Sequence, residues 1–321
     1  MNIRIPGKTF LVGEYSVLLG GPALGLATQP TFDFQIIKSK SVSTSSTIET
    51  SQLISSVLLP FKVHCESPAG MYVRQHADFF SSCNLQNEFF VFDEVIFSNS
   101  YLQQGVVGGF GQSTAEYLLV WFIKNNQSQK KDNFLFADIR KEYRDLHVNK
   151  TTKPSGIDLA FQYYGHVCLA KPDEEIYQNM IWPFANLDFY IISTGLKVPT
   201  HQHLSDLNKN QLESLPQLSN EVIQTFLKKD QPGFLEMMDR WVKSLQEKKL
   251  THPHSIEILK HLELVPSIEL AKPCGALGAD VIIVFFLQPQ KQRVREILQK
   301  MKLNIIAEVG DLCKGFKDEL G

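Results

Sequence analysis

Four short stretches of this chain place charged, hydroxyl and glycine residues at spacings that can handle phosphate. The first, PGKTFLVGEY over 6–15, sets Lys8 after a Pro-Gly pair and puts Glu14 and Tyr15 beyond a further glycine. The second, GVVGGFGQSTAE over 105–116, crowds four glycines, among them Gly108, Gly109 and Gly111, ahead of Gln112, Ser113 and Thr114. The third, KPSGID over 153–158, sets Ser155 and Gly156 before Asp158. The fourth, AKPCGALGAD over 271–280, puts glycines between a cation, Lys272, and an acid, Asp280.

Each stretch also has an ordinary structural reading. Glycines let backbone approach a ligand and turn successive N–H groups inward. A helix start adds orphan N–H groups and a partial positive charge, which together bind anions. Ser113 with Glu116 three residues on is equally a capping box, which only closes a helix end. The cap explains Ser113 and the loop explains the glycines, so both readings stand on these residues. No Gly-Lys-Ser/Thr follows, so this is not a Walker loop. Lys8 and Glu14 taken alone read as surface charges. Asp158 in a first helical turn is favoured by the helix dipole whatever its chemistry. The 275–278 turn with a Lys272–Asp280 salt bridge is the ordinary reading of the fourth stretch.

The elements that must position these residues follow from periodicity. Strands are expected over 2–12, 31–38, 89–97, 166–170, 187–194 and 281–287, where apolar, β-branched and aromatic residues dominate. The Ser/Thr-rich run 41–56 reads as a loop or ragged strand pair. Over 112–126, Ala115, Leu118, Leu119 and Phe122 recur at helical spacing while Val120, Trp121 and Ile123 make the other face apolar, so this helix is expected to be buried. A more polar helix is expected at 134–147, a short one after the 153–156 turn, a charge-rich helical region over 202–250, and a helix at 291–303. Strands and helices mix without a regular parallel βαβ repeat, which favours α+β. A boundary near 185 would give two domains, 1–185 and 186–321.

Composition narrows the field. Hydrophobic residues make up 43% and charged residues 21% of 321 residues, enough for a sizeable core without metal or disulfide staples. A formal net charge of -2 offers no nucleic-acid footprint. The five cysteines include no CxxC pair, which argues against a disulfide framework or zinc site and fits a reducing cytoplasm. No apolar run approaches a membrane span and the start has no signal-peptide core, so a cytoplasmic monomer or homodimer with neither nucleic-acid nor membrane partners is expected.

In this order the four stretches resemble the motifs of the GHMP kinases. PGKTFLVGEY resembles the family's Pro-Gly-Lys…Gly-Glu-His/Tyr, GGFGQSTAE its Gly-Leu-Gly-Ser-Ser-Ala phosphate loop, KPSGID its Ser-Gly-x-Asp segment, and KPCGALGAD its Lys-x-Ser-Gly-Ala-Gly-Gly-Gly. The resemblance runs from residue 6 to about 285 and implies an N-terminal domain like the second domain of ribosomal protein S5 with a ferredoxin-like C-terminal domain. It implies ATP and Mg²⁺ as cofactors. Backbone N–H groups of 108–114 would cradle the phosphates and Ser113 would ligate Mg²⁺. Lys8 and Asp158 would sit at the acceptor, and Glu14, Tyr15, Ser155, Gly156, Lys272 and Asp280 would shape its site. Tyr15, Asp280, the His147-to-Asp158 spacing and STGLKVPTHQHL at 193–204 resemble the phosphomevalonate kinase branch. Mevalonate kinase, a mevalonate-diphosphate decarboxylase-like enzyme and a non-catalytic binding protein remain alternatives. This chain departs from the family at Gln112, Cys274, Leu277 and Ala279.

Overall fold

A computed structural model describes residues 2–38, 57–58, 63–82, 92–99, 110–126, 135–147, 154–196 and 209–319. The strands are β1 (Asn2–Val12), β2 (Ala23–Lys38), β3 (Val57–Leu58), β4 (Val63–His64), β5 (Phe92–Asn99), β6 (Val167–Lys171), β7 (Ile176–Met180), β8 (Leu187–Ser193), β9 (Leu270–Cys274), β10 (Val281–Leu287) and β11 (Ile305–Glu308). The helices are α1 (Pro68–Gln75), α2 (Ala77–Ser82), α3 (Gln112–Asn126), α4 (Phe136–Asp145), α5 (Ile157–Tyr164), α6 (Leu215–Leu227), α7 (Gln231–Glu247), α8 (Pro253–Glu263), α9 (Lys291–Lys300) and α10 (Phe316–Glu319). One antiparallel sheet runs β1-β2-β6-β7, with β5 pairing the outer half of β2, and a second runs β11-β8-β10-β9. This is an α+β architecture.

The strand β10 shows why the second sheet lies inside the molecule. Its sequence VIIVFFL is apolar without alternation, as expected of a strand buried on both faces. Val281, Ile283 and Phe285 point into the larger core, while Ile282, Val284 and Phe286 join Val294 and Leu298 of α9 and Leu259 and Leu262 of α8 in a smaller one. Each such side chain, fully buried, contributes ~1.5–3 kcal/mol.

Helix α3 spans the residues its periodicity gave, and Leu118, Leu119, Val120, Trp121, Phe122 and Ile123 are all buried. Burial on every side holds its N-terminal end at a fixed height against β1. Replacing Leu118, fully enclosed, with a charged residue would place an unpaired ion in the core and unseat the helix.

Two elements differ from their expected bounds for identifiable reasons. Strand β2 begins at Ala23, eight residues before the apolar run at 31–38. Gly25 lies within that early part because a Cβ there would fall 2.1 Å from the Phe161 ring of α5. A close helix-on-sheet contact thus explains a glycine inside a strand. Lys272 and Pro273, which precede the 275–278 turn, belong to a strand the sequence reading did not assign, β9, and Pro273 is tolerated because β9 is an edge strand. Pro6 likewise sits on the edge strand β1. The 41–56 run, Gly105 through Gly109 and the stretch from 197 to 204 lie outside the described residues. Among the described residues no helix is long and apolar enough to cross a membrane.

Candidate active site

Three of the four stretches meet beside β1. The ammonium of Lys8 lies 3.1 Å from Asp158 Oδ2, with the lysine side chain 11% and the aspartate 36% exposed. The Lys8 Nζ also stands 5.4 Å from the centre of the Phe10 ring, two residues along the strand. Asp158 is delivered by the first turn of α5, entered through Gly156 at φ 72°. Ser155 stabilises that entry, its hydroxyl accepting from the Ile157 N–H at 3.3 Å.

The start of α3 closes on the same lysine. The Lys8 N–H donates to the Phe110 carbonyl at 2.9 Å, using the free edge of β1. Gly111 follows at φ 89°, and a Cβ there would sit 2.8 Å from Lys8 Cγ. Both the left-handed backbone and the contact require glycine. The Thr114 hydroxyl lies 2.6 Å from the Gln162 side-chain oxygen and 2.9 Å from the Gly111 carbonyl. The Gln162 amide in turn donates to Pro6 O at 2.9 Å and Gly111 O at 3.1 Å. This buried glutamine of α5 therefore ties β1, α3 and α5 into one unit. Its sequence signal was a lone amide among the apolar and aromatic residues that follow Asp158.

Of the two readings open at this helix start, the capping box does not form. Helix α3 begins at Gln112, which leaves Ser113 inside the first turn and exposed. Glu116 instead accepts from the Gln112 side chain at 2.8 Å. Burial pushes the Glu116 pKa up, with the Gln112 bond working the other way. Ser113 is thus left facing solvent at a helix N-terminus. Of the expected phosphate cradle, Gly111, Gln112, Ser113 and Thr114 are described, whereas Gly108 and Gly109 lie outside the described residues.

The fourth stretch meets the first farther along β1. Lys272 is fully buried, and its ammonium donates to Glu14 Oε1 at 2.6 Å, to the Phe10 carbonyl at 3.1 Å and to Cys274 Sγ at 3.5 Å. The partner of Lys272 is Glu14, not Asp280, so the expected local salt bridge is replaced by one between distant segments. Burial disfavours the ammonium, but the neighbouring Cys274 and the Glu14 carboxylate outweigh it and hold the Lys272 pKa above the ordinary lysine range. Burial pushes the Cys274 thiol up to about 11.

The turn after β9 is fastened from several sides. Gly275, Leu277 and Gly278 all have left-handed backbones, at φ 90°, 53° and 59°. A leucine there is strained by roughly 1 kcal/mol, and Leu277 is held at both its backbone groups. Its N–H donates to the Tyr15 hydroxyl at 3.1 Å, and its carbonyl accepts from the His252 N–H at 2.7 Å. The Ser255 hydroxyl donates to Gly278 O at 2.7 Å, and the Thr194 hydroxyl donates to Ala279 O. Asp280, 8% exposed, lies against Gly275, where a Cβ would fall 2.2 Å from its carboxylate. Ser255 and His252 lie outside every stretch the sequence singles out, and Thr194, within the 193–204 stretch, carries no mark there of a strut for this turn.

Among the described residues no three His, Cys, Asp or Glu side chains converge as a metal-binding group. A magnesium ion brought with a nucleotide is held largely by phosphate oxygens and water. The exposed Ser113 hydroxyl at the α3 start fits as a protein contribution to that shell.

The sequence matches no protein-family model and no curated protein. Solved structures do match its shape. Streptococcus pneumoniae phosphomevalonate kinase in complex with phosphomevalonate and AMPPNP is 15% identical, with 96% of this chain and 99% of that one covered at a TM-score of 0.67. Methanococcus jannaschii mevalonate kinase is 14% identical, covering 98% of each chain at 0.67. Lactococcus lactis galactokinase complexed with galactose is 10% identical, covering 98% and 94% at 0.67. The match along nearly the whole chain, with two antiparallel sheets and the α3 start set against β1, gives this protein the α+β fold of the GHMP kinases.

Proposed function

We propose that the chain is an ATP-dependent small-molecule kinase of the mevalonate pathway that phosphorylates phosphomevalonate. The observation that carries this reading is the Lys8–Asp158 pair, 3.1 Å apart, lying against the glycine that opens α3. A helix start suited to phosphates and a partly exposed lysine–carboxylate pair beside it are what a phosphoryl transfer asks for: alignment and charge stabilisation.

In this reading the α3 start and the preceding glycines hold the nucleotide phosphates, with the Ser113 hydroxyl toward the metal. Mg²⁺, when bound, neutralises charge on the β- and γ-phosphates. Lys8 meets the charge that builds on the moving phosphoryl group. A phosphate-monoester acceptor, with a second pKa of ~6, is already mostly ionised at neutral pH. Asp158 therefore serves chiefly to hold Lys8 in place. Lys272 has no surface to offer a ligand, and acts by orienting Glu14 and the Phe10 carbonyl. Tyr15 fixes Leu277 in the turn that leads to Asp280, the residue this reading assigns to the acceptor. Ser155 and Gly156 shape the acceptor side of the α5 start. The division into 1–185 and 186–321 puts the nucleotide with the first half and the Asp280 turn with the second.

Mevalonate is the second reading. The carboxylate of Asp158 is more than a third exposed, so it can also reach an alcohol as a general base. ATP consumption measured with mevalonate, phosphomevalonate and diphosphomevalonate in parallel separates the readings. Turnover with phosphomevalonate alone is expected. Turnover with mevalonate alone overturns the acceptor, and calorimetry showing no ATP binding overturns the kinase reading altogether.

A further inference from the structure

The turn that delivers Asp158 has a support outside every motif that the sequence singled out. Helix α4 lays Arg140 and Tyr143, one helical turn apart, against Ser155 and Gly156. The Arg140 Nε donates to the Ser155 carbonyl at 2.9 Å. A Cβ on Gly156 would stand 3.0 Å from Arg140 Cγ and 3.6 Å from Tyr143 Cδ1, so the two side chains form the wall against which the glycine turn rests.

The arrangement has few degrees of freedom left. Gly156 is left-handed and is the N-cap of α5, so rotation at this residue swings the first turn of the helix. Asp158 is in that turn, two residues on, and its carboxylate meets Lys8 at 3.1 Å. The backbone of Lys8 is held by its bond to Phe110 and by β1, which leaves the Asp158 carboxylate to place its ammonium. The place of the pair therefore follows the first turn of α5, and the charged hydrogen bond from Arg140 to the carbonyl just before Gly156 bears on that turn. Hydrogen bonds from a charged donor are stronger than neutral ones. A fixed fork also resists rotation better than a lysine ammonium does.

We propose that Arg140 is a positioning residue for the Lys8–Asp158 pair, acting through the Ser155–Gly156 turn rather than by touching a substrate. The proposal rests on the reading of that pair as the phosphoryl-transfer centre for its kinetic consequence, but not for the geometry. A misplacement of about 1 Å in such a centre can lower turnover by up to ~10²-fold.

The test uses the full chain with Arg140→Met, which keeps the packing stem and removes the donor, and Arg140→Lys, which keeps the charge without the planar fork. Lysine-selective ¹³C NMR at fixed pH, with Lys8 assigned through Lys8→Arg, reports the pair without any substrate. In R140M the Lys8 ε-carbon signal is expected to move toward its place in Asp158→Asn, and R140K is expected to fall between R140M and wild type. In turnover, R140M is expected to lower kcat by about tenfold while leaving KM for ATP unchanged. That loss should vanish in the D158N background, since a residue acting through Asp158 has nothing left to position. A Lys8 signal unmoved in both Arg140 variants, with only the melting temperature lowered, overturns the proposal and leaves Arg140 a plain brace. A kcat loss that persists in full in D158N overturns it too. If no acceptor is turned over by the wild type, the kinase reading falls while the NMR comparison still decides for or against the positioning role.

Discussion

Lys272 and Glu14 form a buried ion pair, 2.6 Å between ammonium and carboxylate, that joins the edge strand of one sheet to the residues following β1 of the other. Both side chains are almost wholly removed from water, at 0% and 7% exposure. Removing two charges from water costs several kcal/mol each, and the remaining ammonium donors are satisfied by Phe10 O and Cys274 Sγ. Breaking such a pair from one side leaves an uncompensated ion. Lys272→Met and Glu14→Gln are each expected to destabilise the protein by about 3–5 kcal/mol. The double variant should lose much less than the sum, because neither charge is then stranded. Urea unfolding of the four proteins checks this. Additive losses would mean that the pair is not a coupled unit.

Glu116 gives a pH-dependent expectation. Burial raises its carboxyl pKa in the folded chain, so the native state holds the proton more tightly than the unfolded state does. Stability from this group is therefore present below the ordinary glutamate value of 4.5 and is lost as pH rises through the folded value above it. Glu116→Gln keeps an acceptor for the Gln112 amide and carries no charge. It is expected to melt higher than wild type at pH 7, with the gap closing toward pH 4 in parallel thermal scans. A gap that widens on acidification would contradict the burial account.

Asp158 separates the two acceptors. With an alcohol acceptor, Asp158→Asn removes a general base and is expected to lower kcat by ~10²–10⁴-fold. With phosphomevalonate, a smaller loss is expected, one that deepens when Lys8→Met is added. Steady-state rates on both substrates decide it. A full-sized loss on phosphomevalonate from the single change would mean that the aspartate does more than hold Lys8.

Much of the scaffold was legible because its elements are internally consistent. The all-round apolar stretch 112–126 could only be a buried helix, and VIIVFF only a strand enclosed on both faces. The polar edge strand β7, IYQNM, carries no such pattern, since one side of it is solvated. The glycines at 25 and 111 serve different ends. The first makes room for the Phe161 ring and the second for the Lys8 stem, which only the fold distinguishes. The choice of partner for Lys272 was illegible for a related reason. Asp280 is near in sequence, but strand pairing with β10 directs the lysine to Glu14, 258 residues away. The capping box failed because α3 starts one residue before Ser113 and Gln112 takes the carboxylate first.

In the proposed reading Asp280 is the residue on which the choice of acceptor most depends, and its setting allows a clean substitution. Its backbone is fixed independently of its side chain: the N–H donates to Cys274 O at 3.2 Å, and the carbonyl accepts from the Thr194 N–H at 3.3 Å. The carboxylate lies against Gly275 rather than on Lys272, so the buried lysine keeps its Glu14 partner whatever happens at 280. Asp280→Asn preserves shape and removes the charge. If the carboxylate helps fix the acceptor, KM for phosphomevalonate should rise by about tenfold, the effect of one lost charged hydrogen bond of ~1.5 kcal/mol. KM for ATP and the melting temperature should stay near wild type. Gly275→Ala supplies the opposite case. A Cβ there meets the Asp280 carboxylate at 2.2 Å on a backbone at φ 90°, so it should lower the melting temperature and disturb acceptor binding together. A D280N protein that melts lower with its acceptor KM unchanged would assign Asp280 to the scaffold, and the case for phosphomevalonate over mevalonate would lose its main support.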